Sequence, residues 1–185
     1  MHGDLGPGQR VLVLGAAGGV GTFAVQLARW AGGHVDGTGR PGARDLVLEL
    51  GAEEFVDAER GRLEQQLEPV DLVLDLVGGE LLQRSWPTLK AGGRLVSVVE
   101  PPNPQEAERA GLQARYFIVE PDRAQLAKLA GLIDAGQLRP IVGRVFDLVD
   151  GAKAFDAKQG GGLPGKAVLQ VAPEPGDQRE STVTA

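Results

Sequence analysis

Three glycines spaced three residues apart, Gly15, Gly18 and Gly21, stand in the segment Val13-Leu14-Gly15-Ala16-Ala17-Gly18-Gly19-Val20-Gly21. At a strand-to-helix turn, that spacing suits one kind of chemistry. The chain can turn sharply, a pyrophosphate can approach bare backbone amides at the helix N-terminus, and the last glycine lets helix pack closely on strand. A lone glycine triplet is weak evidence, and its setting strengthens it. Ahead of it runs Arg10-Val11-Leu12-Val13-Leu14, an apolar stretch of the kind that parallel sheets bury on both faces. Behind it, Val20, Phe23, Ala24, Leu27, Ala28 and Ala31 recur at helical spacing until Gly32-Gly33. Gly15, Gly18 and Gly21 are therefore expected to build a dinucleotide-binding turn, in a segment that also carries Ala17, Gly19 and Val20; the alternative is a glycine turn with no ligand.

The second signal follows the second strand. A site that selects a free ribose 2′-hydroxyl commonly places a carboxylate there. This chain has Gly37-Thr38-Gly39-Arg40-Pro41-Gly42-Ala43-Arg44, with Asp36 lying earlier, inside the strand. Arg40, helped by Arg44 or the Thr38 hydroxyl, can meet a 2′-phosphate with charge-assisted bonds, which favours NADPH. The alternative is a pair of solvated loop arginines. Asp75-Leu76-Val77-Gly78-Gly79 closes a fourth strand beside the point where strand order reverses, and Asp75 either approaches the ligand or bonds backbone amides. Ser97-Val98-Val99-Glu100 ends a fifth strand where a nicotinamide carboxamide can bond the backbone; the Glu100 side chain has no evident task.

Other chemistries are set aside. Gly165-Lys166-Ala167 lacks the spacing and hydroxyl of a phosphate-binding P-loop, and there is no HExxH, calcium loop or GxSxG elbow. Tyr116 is the only tyrosine and Glu120, not Lys, follows four residues later, which excludes a Tyr-Lys base. No catalytic residue can be named. His2 and His34 read as structural or incidental, and no metal is expected. The chain has no Cys, so it has neither disulfide nor thiolate.

The elements that position these residues alternate. Strands are expected at 10–14, 34–38, 54–56, 71–76, 94–99 and 115–119. Helices are expected after the first glycine turn and over 43–50, 62–67, 80–89 and 122–133, the last carrying Leu126, Leu129, Ala130 and Ile133 on one face. Pro101 to Pro104 reads as a loop. Two more strands, 141–146 and 167–171, flank a short helix at 151–157 and the glycine-rich run Gly160-Gly161-Gly162-Leu163-Pro164-Gly165. The fold class is α/β: a Rossmann doubly wound six-stranded parallel sheet with two extra C-terminal strands. Among 185 residues, 42% are hydrophobic, enough to close a core. A net charge of −6 and only 5 Phe, 2 Trp and 1 Tyr argue against a nucleic-acid partner. With no long apolar run and no signal-peptide pattern, no membrane partner is expected and a cytoplasmic location is.

The run Gly15 to Ala28 resembles the cofactor fingerprint of medium-chain dehydrogenase/reductases, in their zinc-independent, quinone-oxidoreductase-like branch. Leu50-Gly51-Ala52-Glu53-Glu54, Val70 to Gly79, Gly92 to Ser97, Leu138-Arg139-Pro140 and Gly165 to Leu169 continue the likeness over about residues 6 to 171. The resemblance implies NADPH-dependent hydride transfer to a quinone or an activated alkene or carbonyl as small-molecule substrate. It places Gly18, Gly19 and Val20 on the pyrophosphate, Arg40 on the adenosine phosphate, and Val77 and Val98 by the nicotinamide ribose. Tyr116, Phe117 and Val119 fall near the nicotinamide and at an edge where subunits commonly join. The expected division is a cofactor-binding domain at 1–137, a return segment of a GroES-like domain at 138–171 and a disordered tail at 172–185. The family's GroES-like domain precedes this sequence, so the chain reads as the cofactor-binding portion, partnered by a homodimer mate through the sixth strand or by a separate GroES-like half. The rival reading is a non-catalytic NADPH-binding module or truncated subunit. A Rossmann-like methyltransferase is a weaker third, lacking the acidic residue at the second strand's end.

Overall fold

In a computed structural model, which describes residues 3–172, strand β1 (Arg10–Leu14) runs through the middle of a six-stranded sheet. His2 and most of the expected tail lie outside the described residues. The side chains of β1 from Val11 to Leu14 are hidden from solvent, as an interior strand covered on both faces requires. They alternate between two cores. Val11 and Val13 pack with Val25, Val35 and Val47, whereas Leu12 and Leu14 pack with Val56, Leu63 and Leu82.

The chain continues through α1 (Gly21–Trp30), β2 (His34–Gly39), α2 (Arg44–Glu49), β3 (Glu54–Asp57), β4 (Val70–Asp75), α3 (Gly79–Ser85), β5 (Leu89–Ser97), α4 (Pro104–Ala110), β6 (Gln113–Tyr116) and α5 (Arg123–Asp134). The sheet order is β3-β2-β1-β4-β5-β6 with every pair parallel. Direction of winding reverses between β1 and β4, where Leu14 is in register with Asp75. The crevice at their carboxyl ends is the place for a ligand in such sheets.

One charged pair sits inside the sheet. Asp36 of β2 is completely buried, and Arg10 Nη1 donates to both its carboxylate oxygens at 2.9 Å. Burial pushes the Asp36 carboxyl above its usual range, outweighing the pull of the Arg10 bond and charge in the other direction. Arg10 also loses solvation, yet Asp36, Glu54 and Glu53 hold its guanidinium above its ordinary value. Glu53 extends the cluster outward, accepting from Arg29 and bonding the His34 ring, each at 2.9 Å.

Several local expectations shift for identifiable reasons. Val20, expected on the packed face of α1, is exposed; the buried side of that helix is Gly21, Thr22 and Val25. Trp86-Pro87-Thr88 tightens into a 3₁₀ turn, so α3 stops at Ser85 and β5 begins at Leu89 rather than five residues later. The expected Pro101–Pro104 loop ends in helix α4, because the Asn103 side chain accepts from Gln105 N at 3.0 Å and Pro104 occupies the first helical position. In α5 the cap is as expected, with Asp122 accepting from Ala124 N and Gln125 N, but Leu126 and Ile133 are exposed and Leu132 is the buried residue.

Strands β7 (Val142–Asp147) and β8 (Lys166–Gln170) pair in parallel as a separate sheet, joined through α6 (Gly151–Gln159). This unit is fastened back onto the glycine turn: Gly165 N donates to Ala17 O at 2.8 Å. The side-chain amide of Gln26 brackets Arg139, donating to its carbonyl and accepting from its N–H, both at 3.0 Å. Val145, Leu148, Val149 and Phe155 remain exposed around it, as do Ile118 and Val119 beyond β6. Among the described residues, no helix is long and apolar enough to cross a membrane.

Candidate functional site

The first turn is built by glycines with different tasks. Gly15 leaves β1 at φ +78°, a left-handed conformation that glycine adopts without strain. The turn is bonded to β2, with Gly15 N donating to Thr38 Oγ1 at 3.2 Å and Ala16 N to Thr38 O at 2.9 Å. Gly18 N returns to Gly15 O at 2.9 Å. Gly21 presses against the turn so closely that a Cβ there would stand 2.8 Å from both Ala16 Cα and Ala16 C. Helix α1 begins without a capping side chain or an acidic residue in its first turn, so its positive end is left unopposed toward an anion.

The end of β4 is held from within. Asp75, wholly buried, accepts from Val77 N at 3.0 Å, Gly78 N at 2.9 Å and the Ser97 hydroxyl at 2.6 Å. Ser97 Oγ in turn accepts from Val99 N and Glu100 N, and Glu100 Oε1 accepts from Gly79 N at 2.8 Å at the start of α3. Asp75 thus shapes the loop rather than facing a ligand, and Glu100 has a task after all. Asp75→Ala orphans three donors and is expected to lower unfolding free energy by about 2–3 kcal/mol. Urea denaturation measures this, and a change within about 0.5 kcal/mol would show that the loop holds without it.

A cavity of about 700 Å³ opens against these two loops. It runs from Gly15, Gly18 and Val77, past Thr38, to Arg40 and Glu59, with Gly161 to Pro164 as a wall. Of the residues singled out from sequence, Gly15, Ala17, Gly18, Thr38, Arg40 and Val77 border it. Gly19 sits behind, where a Cβ would stand 3.1 Å from Lys166 Nζ. Arg44 lies elsewhere, its guanidinium 5.9 Å from the centre of the Phe55 ring. Val98, Phe117 and Val119 lie outside the cavity lining; Val98 N bonds Asp75 O, Phe117 N bonds Ser97 O and the Val119 side chain is exposed.

Sequence reasoning misses Glu59, Lys166 and the wall. The glycine-rich run at 160–165 is legible as a loop, yet its seat beside residues 15–40 is a tertiary contact across more than a hundred positions that no local pattern announces. Arg40 Nη1 donates to Gly160 O at 3.2 Å, and Arg40 Nε stands 4.0 Å from Glu59 Oε1.

Parallel strands in this order, with a glycine turn and a cavity at the point where winding reverses, define a Rossmann-type nucleotide-binding unit. The "Zinc-binding dehydrogenase" family model matches residues 50–169, and the chain belongs to this family, within the medium-chain dehydrogenase/reductase superfamily. It is 33% identical over 191 residues to the mitochondrial NAD(P)H oxidoreductase RTN4IP1 of Danio rerio, covering 88% of this chain and 49% of the relative. The quinone oxidoreductase of Coxiella burnetii superposes with a TM-score of 0.84 at 30% identity, covering 92% of this chain and 55% of that one. The quinone oxidoreductase of Thermus thermophilus, solved also with NADPH, gives a TM-score of 0.71 at 34% identity, covering 91% and 59%. The chain spans about half the length of the oxidoreductase relatives it matches. The zinc of the family's description finds no donor set here: the sequence has no Cys, and among the described residues no group of three or more His, Asp or Glu could hold a metal.

Proposed function

We propose that this chain is the NADPH-binding portion of an oxidoreductase that moves a hydride between the cofactor and a quinone or an activated alkene or carbonyl. The observation that carries the reading is the cavity itself, which joins the glycine turn to Arg40 along the reversal crevice. The residues fit a dinucleotide. A Cβ at Gly15 would strike Val77 Cγ2 at 2.7 Å, so only glycine there lets the Val77 loop close against the turn, and both border the cavity. In this reading Gly15, Gly18 and Gly19 take the pyrophosphate, with the Lys166 ammonium beside Gly19, and Arg40 takes the 2′-phosphate. When bound, the nicotinamide supplies the hydride, and the protein's part is to place it. Val77 holds the cofactor's ribose side, fixed by Asp75 from beneath. Val98, Phe117 and Val119, outside the cavity lining, are assigned to the nicotinamide by the family resemblance alone.

Ile118 and Val119 beyond β6 are exposed apolar side chains, a feature that favours completion by a partner. Residues 1–137 form the cofactor unit in this proposal, and 138–171 return to a GroES-like half. The mate is either that half or a second copy joined at the β6 edge. A non-catalytic NADPH-binding module is the second reading, favoured by the same exposed residues.

Titration of NADPH fluorescence, followed by NADPH oxidation across a quinone panel, tests the proposal. Binding with turnover supports the enzyme; binding without turnover, even with a GroES-like half added, supports the module; absence of binding overturns both. Arg40→Ala is expected to weaken NADPH by about 1 kcal/mol, five- to tenfold, while NADH changes less than twofold. Equal losses for both would remove Arg40 from the 2′-position.

A further inference from the structure

We propose that Glu59 is a specificity-determining residue that works against the 2′-phosphate at the adenosine end of the cavity, so that Arg40 and Glu59 together set a narrower preference for NADPH over NADH than Arg40 alone would give. The inference rests on the reading of this cavity as a dinucleotide site.

Arg40 is the group that would draw a 2′-phosphate, yet it is engaged from two sides. One N–H goes to the carbonyl of Gly160 at 3.2 Å, and the guanidinium lies against Gly161, where a Cβ would stand 3.0 Å from Nη2. On the other side Glu59 Oε1 approaches Nε at 4.0 Å. Both Arg40 and Glu59 border the cavity. A phosphate that reaches Arg40 therefore arrives beside a carboxylate of its own sign and displaces that carboxylate's attraction to the guanidinium. A 2′-hydroxyl meets neither penalty and can donate to the Glu59 carboxylate, which accepts hydrogen bonds only.

Glu59 is not a loose surface acid that happens to pass by. Its backbone N–H is bonded to Asp57 Oδ1 at 2.9 Å, and the carbonyl of Ala58, just before it, accepts from Arg84 Nη1 at 2.9 Å. Arg84 Nη2 also donates to the Gly61 carbonyl at 2.6 Å. Gln66 adds a bond to the carbonyl of Asp57 at 3.3 Å and another to that of Arg60. Residues 57–61 are thus pinned from α3 and from the turn that follows, and the Glu59 side chain starts from a fixed point on the cavity rim. Because both charged groups are largely exposed, their interaction is moderate and screened by salt.

The test uses the full chain and its Glu59→Gln variant, each titrated with NADPH and NADH at low and at about 0.5 M salt. Glu59→Gln should tighten NADPH three- to tenfold at low salt and leave NADH unchanged or weakened up to threefold, with the gain for NADPH shrinking at high salt. An unchanged NADPH:NADH ratio, or equal shifts for both cofactors, overturns the role of Glu59 while leaving the site intact. If the parent chain binds neither cofactor, the dinucleotide reading itself fails and the proposal falls with it. Circular dichroism of the variant, expected to match the parent for so exposed a position, separates a binding effect from misfolding.

Discussion

Gly21→Ala should cost about 3 kcal/mol or more of folding free energy and abolish dinucleotide binding. The added methyl has nowhere to go. It would stand 2.8 Å from Ala16 Cα and C and collide with the Gly15 carbonyl, all backbone atoms of the turn beneath it. Relief requires lifting α1 off β1, which opens the core around Val11, Val13 and Val25. Urea unfolding followed by far-ultraviolet dichroism measures the loss. Gly42→Ala is the control, since a Cβ at Gly42 meets nothing within 4 Å, and it should change stability by less than about 0.5 kcal/mol. A Gly21→Ala chain as stable as that control would mean that the turn yields easily and that close helix packing is not what this glycine provides.

Arg10→Met is expected to cost about 3–5 kcal/mol at neutral pH, because it strands the buried Asp36 carboxylate without its partner. The pH dependence has a definite sign. The folded-state pKa of Asp36 is already raised by burial, and losing Arg10 raises it further. A carboxyl raised in the folded state binds its proton more readily there than in the unfolded chain. Its contribution is fully present below the ordinary aspartate range and is lost as pH rises through the folded value. The variant should therefore recover stability relative to the parent as pH falls from neutrality toward the ordinary aspartate range. The double replacement Arg10→Met with Asp36→Val should restore most of the loss, since an apolar pair can substitute for a buried ionic one. If Arg10→Met unfolds at the same urea concentration as the parent at pH 7, Asp36 is finding solvent or another donor.

The alternating elements are readable because parallel strands buried on both faces carry apolar runs; β1 and β4 announce themselves that way, each closed by glycine, whereas β2 has only Val35 as an apolar side chain and is read from its place between glycines. The helix ends are less so. The Pro101–Pro104 segment looks like an interruption, and only the Asn103-Pro104 pair, an N-cap followed by proline at the first helical position, signals α4. Helix α5 shows the limit of periodicity: Leu126 and Ile133 form an apolar stripe that the sheet does not cover, so spacing identifies the helix and misassigns its buried side. At the site, the glycine turn, Thr38, Arg40 and Val77 can be placed from position along strands. Asp75 and Glu100 cannot be resolved that way, since whether a carboxylate faces a ligand or a backbone amide depends on loop geometry. Glu59 and Lys166 have no signature, because each reaches the site through folding rather than through a motif.

The bond from Gly165 to the Ala17 carbonyl joins nearly opposite ends of the described chain, and Gly161 to Pro164 enclose a cavity whose floor is laid by Gly15 and Gly18. A polypeptide emerging from the ribosome can assemble β1 to β4 long before that enclosing stretch has been synthesised. Such high contact order makes closure among the latest steps of maturation. A nascent chain would thus carry the cavity as an open shelf, its enclosure deferred until translation has passed residue 165.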